Sequence, residues 1–136
     1  MDFSTLELLE NNASIIIDRL DALKNSLLVD KDIDAYYEYA SFVESTSQII
    51  WDMEYRLNEQ ETLQNHLDVV EYINIRQTVS SDKRADSLIE TKFYEDKKKI
   101  SHYRWVIRRL RARYGWCTHL ISAIHDWFYF NSRINA

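Results

Sequence analysis

The chain has 136 residues with one glycine, Gly115, and no proline. Those two residues punctuate turns and strand ends, so their near absence excludes a loop-rich or all-β domain and predicts few, long helices joined by short polar turns. The net charge of −5 is unevenly spread: residues 1–30 carry −4, residues 31–80 carry −7 and residues 81–136 carry +6. Such polarity speaks of partners or self-association rather than of fold.

The single cysteine, Cys117, excludes an intramolecular disulfide and a cysteine-rich zinc site. The start, Met1-Asp2-Phe3-Ser4, has no basic region ahead of an apolar run, so no signal peptide is expected. No run of about 18 apolar residues predicts a membrane span. A cytoplasmic protein is expected, in the host cytoplasm if the source is viral.

A first helix is predicted over about 4–28, where Leu6, Leu9, Ala13, Ile16, Leu20, Leu23 and Leu27 step by three and four. Ser4 and Glu7 fit a capping box at its start. Residues 29–32 then form a short polar turn, with Asp32 as the next N-cap. A second helix follows over about 33–78. Tyr36, Tyr39, Val43, Thr46, Ile50, Met53 and Leu57 share a face. After the polar run 58–62, Leu63, Leu67, Val70 and Ile73 resume in a changed phase, which predicts one long helix with a stutter.

Residues 78–82 form the next turn, with Ser81 or Asp82 as cap. A third helix is predicted over about 82–130. From Ile100 through Tyr103, Ile107, Leu110, Tyr114, Cys117, Ile121 and Ile124 to Phe128 its apolar steps are three and four, a coiled-coil-like seam. Gly115 inside this pattern predicts a kink or a close helix approach. Cys117 lies on the seam and reads as a small buried hydrophobe. The expected fold is all-α, one domain over 1–136: a short N-terminal helix plus a long antiparallel, coiled-coil-like hairpin. Hairpin helices about 65–75 Å long would leave seams uncovered, and oligomerisation is the usual remedy.

Catalytic motifs are absent. His66, His102, His119 and His125 form no metal-binding pair in sequence, and one glycine cannot build a phosphate loop. Glu59, Glu61 and Asp68 lie on a polar face without a histidine in phase. A non-enzymatic protein without metal or cofactor is expected.

The basic stretch is more informative. Lys97, Lys98, Lys99, Arg104, Arg108, Arg109, Arg111 and Arg113 occur with no acid among them. With Ile100 at heptad position a, Lys97, Arg104 and Arg111 fall at e, and Lys99 and Arg113 at g. Flanking charges of this kind pair with a partner helix, here with Glu38, Glu44, Asp52 and Glu54. Alternatively, the eight bases neutralise nucleic-acid phosphates. Trp105, Trp116 and Trp127 recur every eleven residues on one face, with Arg109, Ala112 and Ala123 between them. Tryptophan interleaved with arginine can stack the bases of a single strand, or pack in an oligomer. The nucleic-acid candidates are thus the eight bases and Trp105. The segment beyond Gly115 is apolar nearly all round and reads as buried, with Trp116, Leu120, Ile124, Trp127 and Phe128 as an oligomer interface.

The segment from Ser80-Ser81-Asp82-Lys83-Arg84-Ala85 to Leu120-Ile121, a basic, aromatic-bearing long helix in a small helical chain, resembles the C-terminal half of tailed-phage recombination accessory proteins, the UvsY-like recombination mediators. The likeness covers about the last 55 residues. It implies single-stranded DNA binding by a homo-oligomer assembled through helices. The expected function is a phage-type recombination or replication accessory that binds single-stranded nucleic acid and its own copies. The alternative is a viral anti-defence inhibitor: the second helix, with ten acids from Asp32 to Glu71, mimics DNA phosphates and blocks a host nucleic-acid enzyme. A structural coiled-coil adaptor without nucleic acid is the third possibility.

Overall fold

The structure, a computed structural model, describes residues 1–134. They form four helices: α1 (Ser4–Leu28), α2 (Ile33–Arg76), α3 (Asp82–Lys92) and α4 (Tyr94–Ile134). The described residues are all-α.

Leu6, Ala13, Leu20 and Leu27, each seven residues after the last, are the buried row of α1. Its start differs from the expected capping box. Phe3 is the N-cap and makes no side-chain cap. Ser4 is already helical, so its hydroxyl cannot cap, and Asp2 Oδ1 instead accepts from the Ser4 N–H at 2.9 Å. The turn into α2 places Lys31 at φ 52°, in the left-handed region that side chains adopt rarely. Asp32 caps α2 by accepting from the Asp34 N–H at 2.9 Å.

α2 is one helix through the polar run 58–62. Its buried row Tyr39, Val43, Thr46, Ile50, Met53 and Leu57 continues in the same phase to Gln64, which is only 3% exposed. The expected change of phase does not occur. Leu63 is 41% and Ile73 57% exposed, and Val70 is exposed with them. An unbroken helix keeps presenting the same side to its neighbour, so the polar glutamine is buried and the out-of-phase apolar residues are not. Thr46 is accommodated in this row because its hydroxyl donates to the Phe42 carbonyl within the helix, at 2.9 Å.

The expected helix over 82–130 is two helices that meet at Phe93. Ser81 caps α3 by accepting from the Arg84 N–H. Phe93, at φ −103° and ψ 15°, leaves the helical region. Its N–H still donates to the Ile89 carbonyl at 3.0 Å, and its carbonyl accepts from the Lys97 N–H at 2.9 Å, so the chain bends rather than ends. Side chains tie α3 back onto α2: Tyr72 donates to Asp82 at 2.8 Å, and Lys92 pairs with Glu71 at 2.7 Å. α4 continues without a break through Gly115, and the close helix approach expected there is not found. Nothing lies within 4 Å of the position its Cβ would take.

α2 and α4 run in opposite directions, as Tyr36 with Phe128 (ring centroids 5.6 Å) and Asp68 with Lys97 (3.3 Å) show. α1 lies along α4 in the same direction, from Phe3 on Tyr103 to Asp21 with Arg113. One core joins Leu6 and Ala13 to Met53, Leu57, Ile100, Tyr103 and Leu110. A second joins Leu20 and Leu27 to Tyr39, Val43, Cys117, Leu120 and Ile124. α1 thus covers the seam between α2 and α4. It also covers Leu120 and Ile124 of the apolar C-terminal segment. The sequence predicts burial of that whole segment, but Trp116, Trp127, Tyr129 and Phe130 stay exposed.

Candidate nucleic-acid interface

Half of the basic stretch is engaged inside the molecule. Lys97 pairs with Asp68 at 3.3 Å and with Glu90 at 2.8 Å. Arg104 pairs with Glu61, and Arg111 with Glu54. These bases are seven residues apart on α4, and their acids are seven apart on α2, so the pairs form a ladder along one side of the interface. Arg113 pairs with Asp21 of α1. Burial lowers the Lys97 pKa, but hydrogen bonds to Glu90 and Asp68 outweigh it and hold the ammonium above the ordinary lysine value. Of the partners expected from sequence, only Glu54 is used. Glu38, Glu44 and Asp52 stay exposed, because the register brings Glu61 and Asp68 to the bases instead. The signal was present in the sequence: acids at 54, 61 and 68 repeat the spacing of 97, 104 and 111.

Lys98, Lys99, Arg108 and Arg109 are left. Lys99 lies over the Phe3 ring at 5.5 Å and Lys98 over Tyr94 at 5.9 Å. The Arg109 guanidinium lies 4.9 Å from the Trp105 ring centroid. Among the described residues, Arg108 has no carboxylate partner. Lys98, His102, Trp105, Arg109, Ala112 and Trp116, at steps of four and three, are all exposed on the outer face of α4. Trp105 is 50% and Trp116 56% exposed. Around Trp105 and Arg109 an open groove of about 310 Å³ runs between α4 and α1, with Glu10, Ser14 and Ile17 on its other wall. Glu10 sits 3.3 Å from the His102 ring nitrogen. From Lys97 to His125, α4 contains no acidic residue.

The expected oligomer interface divides. Leu120 and Ile124 are buried in the core shared with α1 and α2, and Phe128 packs edge-on against Tyr36. These three serve the fold of the single chain. Trp127 keeps an exposed side, while the Lys31 ammonium lies 5.7 Å from its ring. Trp116 and Trp127 therefore remain as surface. Sequence reasoning missed a second outward row, on α2: Tyr37, Ser41, Glu44, Gln48, Trp51 and Tyr55, also at steps of four and three and all exposed. Trp51 is 71% exposed. Its signal was the aromatic residues falling opposite the row that the seam buries.

Among the described residues, no group of three histidine, cysteine, aspartate or glutamate side chains could hold a metal ion, and no helix is long and apolar enough to cross a membrane. Compared with models of known protein families, with curated proteins and with solved structures, the chain matches none.

Proposed function

We propose that this is a non-enzymatic binding protein that takes single-stranded nucleic acid on the outer face of α4 and associates with its own copies. This is the part of a recombination or replication accessory of the UvsY-like kind. The observation that carries the reading is Arg109 stacked on the half-exposed Trp105, on a helix that has no acid of its own from Lys97 to His125, with Glu10 of α1 the carboxylate across the groove. An aromatic plane and an arginine plane stack bases irrespective of sequence. Lys98, Lys99 and Arg108 beside them supply charge for phosphates, and each such contact makes binding weaken with salt. Lys97, Arg104, Arg111 and Arg113 have acids of their own and contribute less. The residues outside the stack that favour self-association are Trp116 and Trp127.

The test is titration of a labelled oligo(dT) over a salt series. The wild type binds, and Arg108→Glu with Arg109→Glu weakens binding at least tenfold. The salt slope then becomes shallower by about 0.7 for each phosphate that is no longer neutralised. Absence of binding at low salt, or binding indifferent to those two changes, removes the reading.

A second reading draws on α2. From Asp32 to Tyr55 that helix has no basic residue, and Glu38, Glu44 and Asp52 are exposed, so the face could occupy a basic groove of a host nucleic-acid enzyme. It requires inhibition of such an enzyme by the wild type and none by the Glu38→Lys, Glu44→Lys, Asp52→Lys variant.

A further inference from the structure

Two faces of this chain complement one another and cannot meet within it. The outer face of α2 carries Tyr37, Glu44, Trp51 and Tyr55, and its helix is free of bases from Asp32 to Tyr55. The outer face of α4 carries Lys98, Trp105, Arg109 and Trp116, and its helix is free of acids from Lys97 to His125. The α2 row lies opposite the buried row of its helix, and the α4 row lies on the side of α4 that borders the groove with α1, so neither row faces the seam between α2 and α4. Within the chain, the ion pair these two segments exchange is Glu54 with Arg111. Glu38, Glu44 and Asp52 of α2, and Lys98, Arg108 and Arg109 of α4, have no ion-pair partner among the described residues. Each face also exposes large aromatic side chains, Tyr37, Trp51 and Tyr55 on α2 and Trp105 and Trp116 on α4, the residue types that dominate interface cores.

We infer that the occupant of the α4 face is a second copy of the chain, docked through its α2 face. The sign of the charges decides the arrangement. Pairing α2 with α2, or α4 with α4, around a two-fold axis would set like charges against each other, which costs free energy. Pairing α2 with α4 sets acids against bases and tryptophan against tryptophan, residues that dominate interface cores. Such a contact is head-to-tail. Each copy keeps one free face of either kind, so assembly continues until it closes a ring or extends as a filament. This inference rests on the proposed function in one respect: the α4 face is the one assigned to nucleic acid. The α2 row presents to it what a strand presents, negative charge interleaved with aromatic planes. A bound strand and a docked copy therefore exclude one another, and nucleic acid opens the assembly.

The test uses the full chain, its mass in solution measured by light scattering at low salt. Tyr37→Ser with Trp51→Ser removes the α2 face, and Trp105→Ser with Trp116→Ser removes the α4 face. All four side chains are exposed, and retained helicity and melting temperature confirm folding. The wild type is multimeric, and each double variant is monomeric. Their equal mixture forms a two-chain species, because one intact α2 face meets one intact α4 face. Oligo(dT) lowers the mass of the wild type, and the α2 variant, whose α4 face is free, still binds it. A monomeric wild type, an α2 variant of unchanged mass, or a mixture that stays monomeric overturns the head-to-tail contact, whether or not oligo(dT) binds. If the mass results hold and oligo(dT) does not bind, the nucleic-acid reading falls and the contact stands. An oligonucleotide that binds without lowering the mass overturns the shared face.

Discussion

Arg104 of α4 is ion-paired with Glu61 of α2, and one heptad to either side Arg111 meets Glu54 and Lys97 meets Asp68. The three pairs hold two long helices in a single register. A slip of one turn would leave α4 bases beside uncharged residues such as Leu57, Asn58 and Gln64. The ladder also explains why a strongly basic helix sits in an acidic protein without being wholly available to an anionic partner.

Because Arg104 and Glu61 are both partly open to solvent, their coupling is modest, about 0.5–1 kcal/mol as for other surface pairs. Arg104→Glu should destabilise the fold by about 1 kcal/mol or somewhat more, since it sets like charges together. Adding Glu61→Arg should restore most of the stability. A double-mutant cycle from denaturant unfolding reads the coupling, and a cycle that closes to zero would show that the pair contributes nothing.

Gln64 is buried, and while its Nε2 donates to Asp68 at 2.8 Å, its Oε1 finds no partner. Burying an unsatisfied acceptor costs about 1–3 kcal/mol. Gln64→Leu should therefore stabilise the protein by about 1 kcal/mol after removal of the Asp68 bond, seen as a higher denaturant midpoint at unchanged slope. A destabilised variant would mean that the amide does more for the α2–α4 interface than fill space.

The phase of α2 can be checked by paired truncations. Met53 is fully buried and Leu63 is not. Met53→Ala should cost about 2–5 kcal/mol and Leu63→Ala well under half of that. Equal costs would indicate that the helix turns its apolar row inward after residue 58, as the sequence pattern alone suggests.

Gly115 occupies a helix interior with open space around it. Gly115→Ala should raise stability by about 1 kcal/mol through propensity alone, and thermal melting reports it. A drop in stability would reveal a close approach at this position.

Burial, and a hydrogen bond with Cys117, push the Tyr39 phenol well above the ordinary tyrosine value. The folded state thus holds this proton more tightly than the unfolded state does. The resulting stabilisation is complete below about pH 10, the unfolded value, and is lost as pH rises from there towards the folded value. Denaturation midpoints should fall above about pH 10, and Tyr39→Phe should flatten that fall. An unchanged alkaline slope in the variant would assign the effect to other groups.

Much of the architecture was legible in the sequence because it rests on local rules. With no proline, one glycine and apolar steps of three and four, the chain could only be helical. Asp32 and Ser81 mark helix starts because a short acceptor side chain satisfies a free N–H there. The charge of residues 97–113 and the eleven-residue tryptophan spacing were equally plain. Less plain was the direction each side chain faces once three helices share a core. Leu120 and Ile124 look like interface residues on a hairpin, and α1 turns them into core.

Residue order alone was enough to establish that the protein is all-α, that its negative and positive charge lie on successive helices, and that tryptophan and arginine share one face of α4. Which bases remain available was settled only by packing, because that depends on the register of α2 against α4. The register gives Lys97, Arg104 and Arg111 ion-pair partners on α2, α1 gives one to Arg113, and Lys98, Lys99, Arg108 and Arg109 have none among the described residues. Packing likewise carries α2 past residue 58 in a constant phase, which buries Gln64. The physical reason is common to both: periodicity is a property of one helix, whereas the side that faces a neighbour is set between helices, which one helix's pattern does not encode.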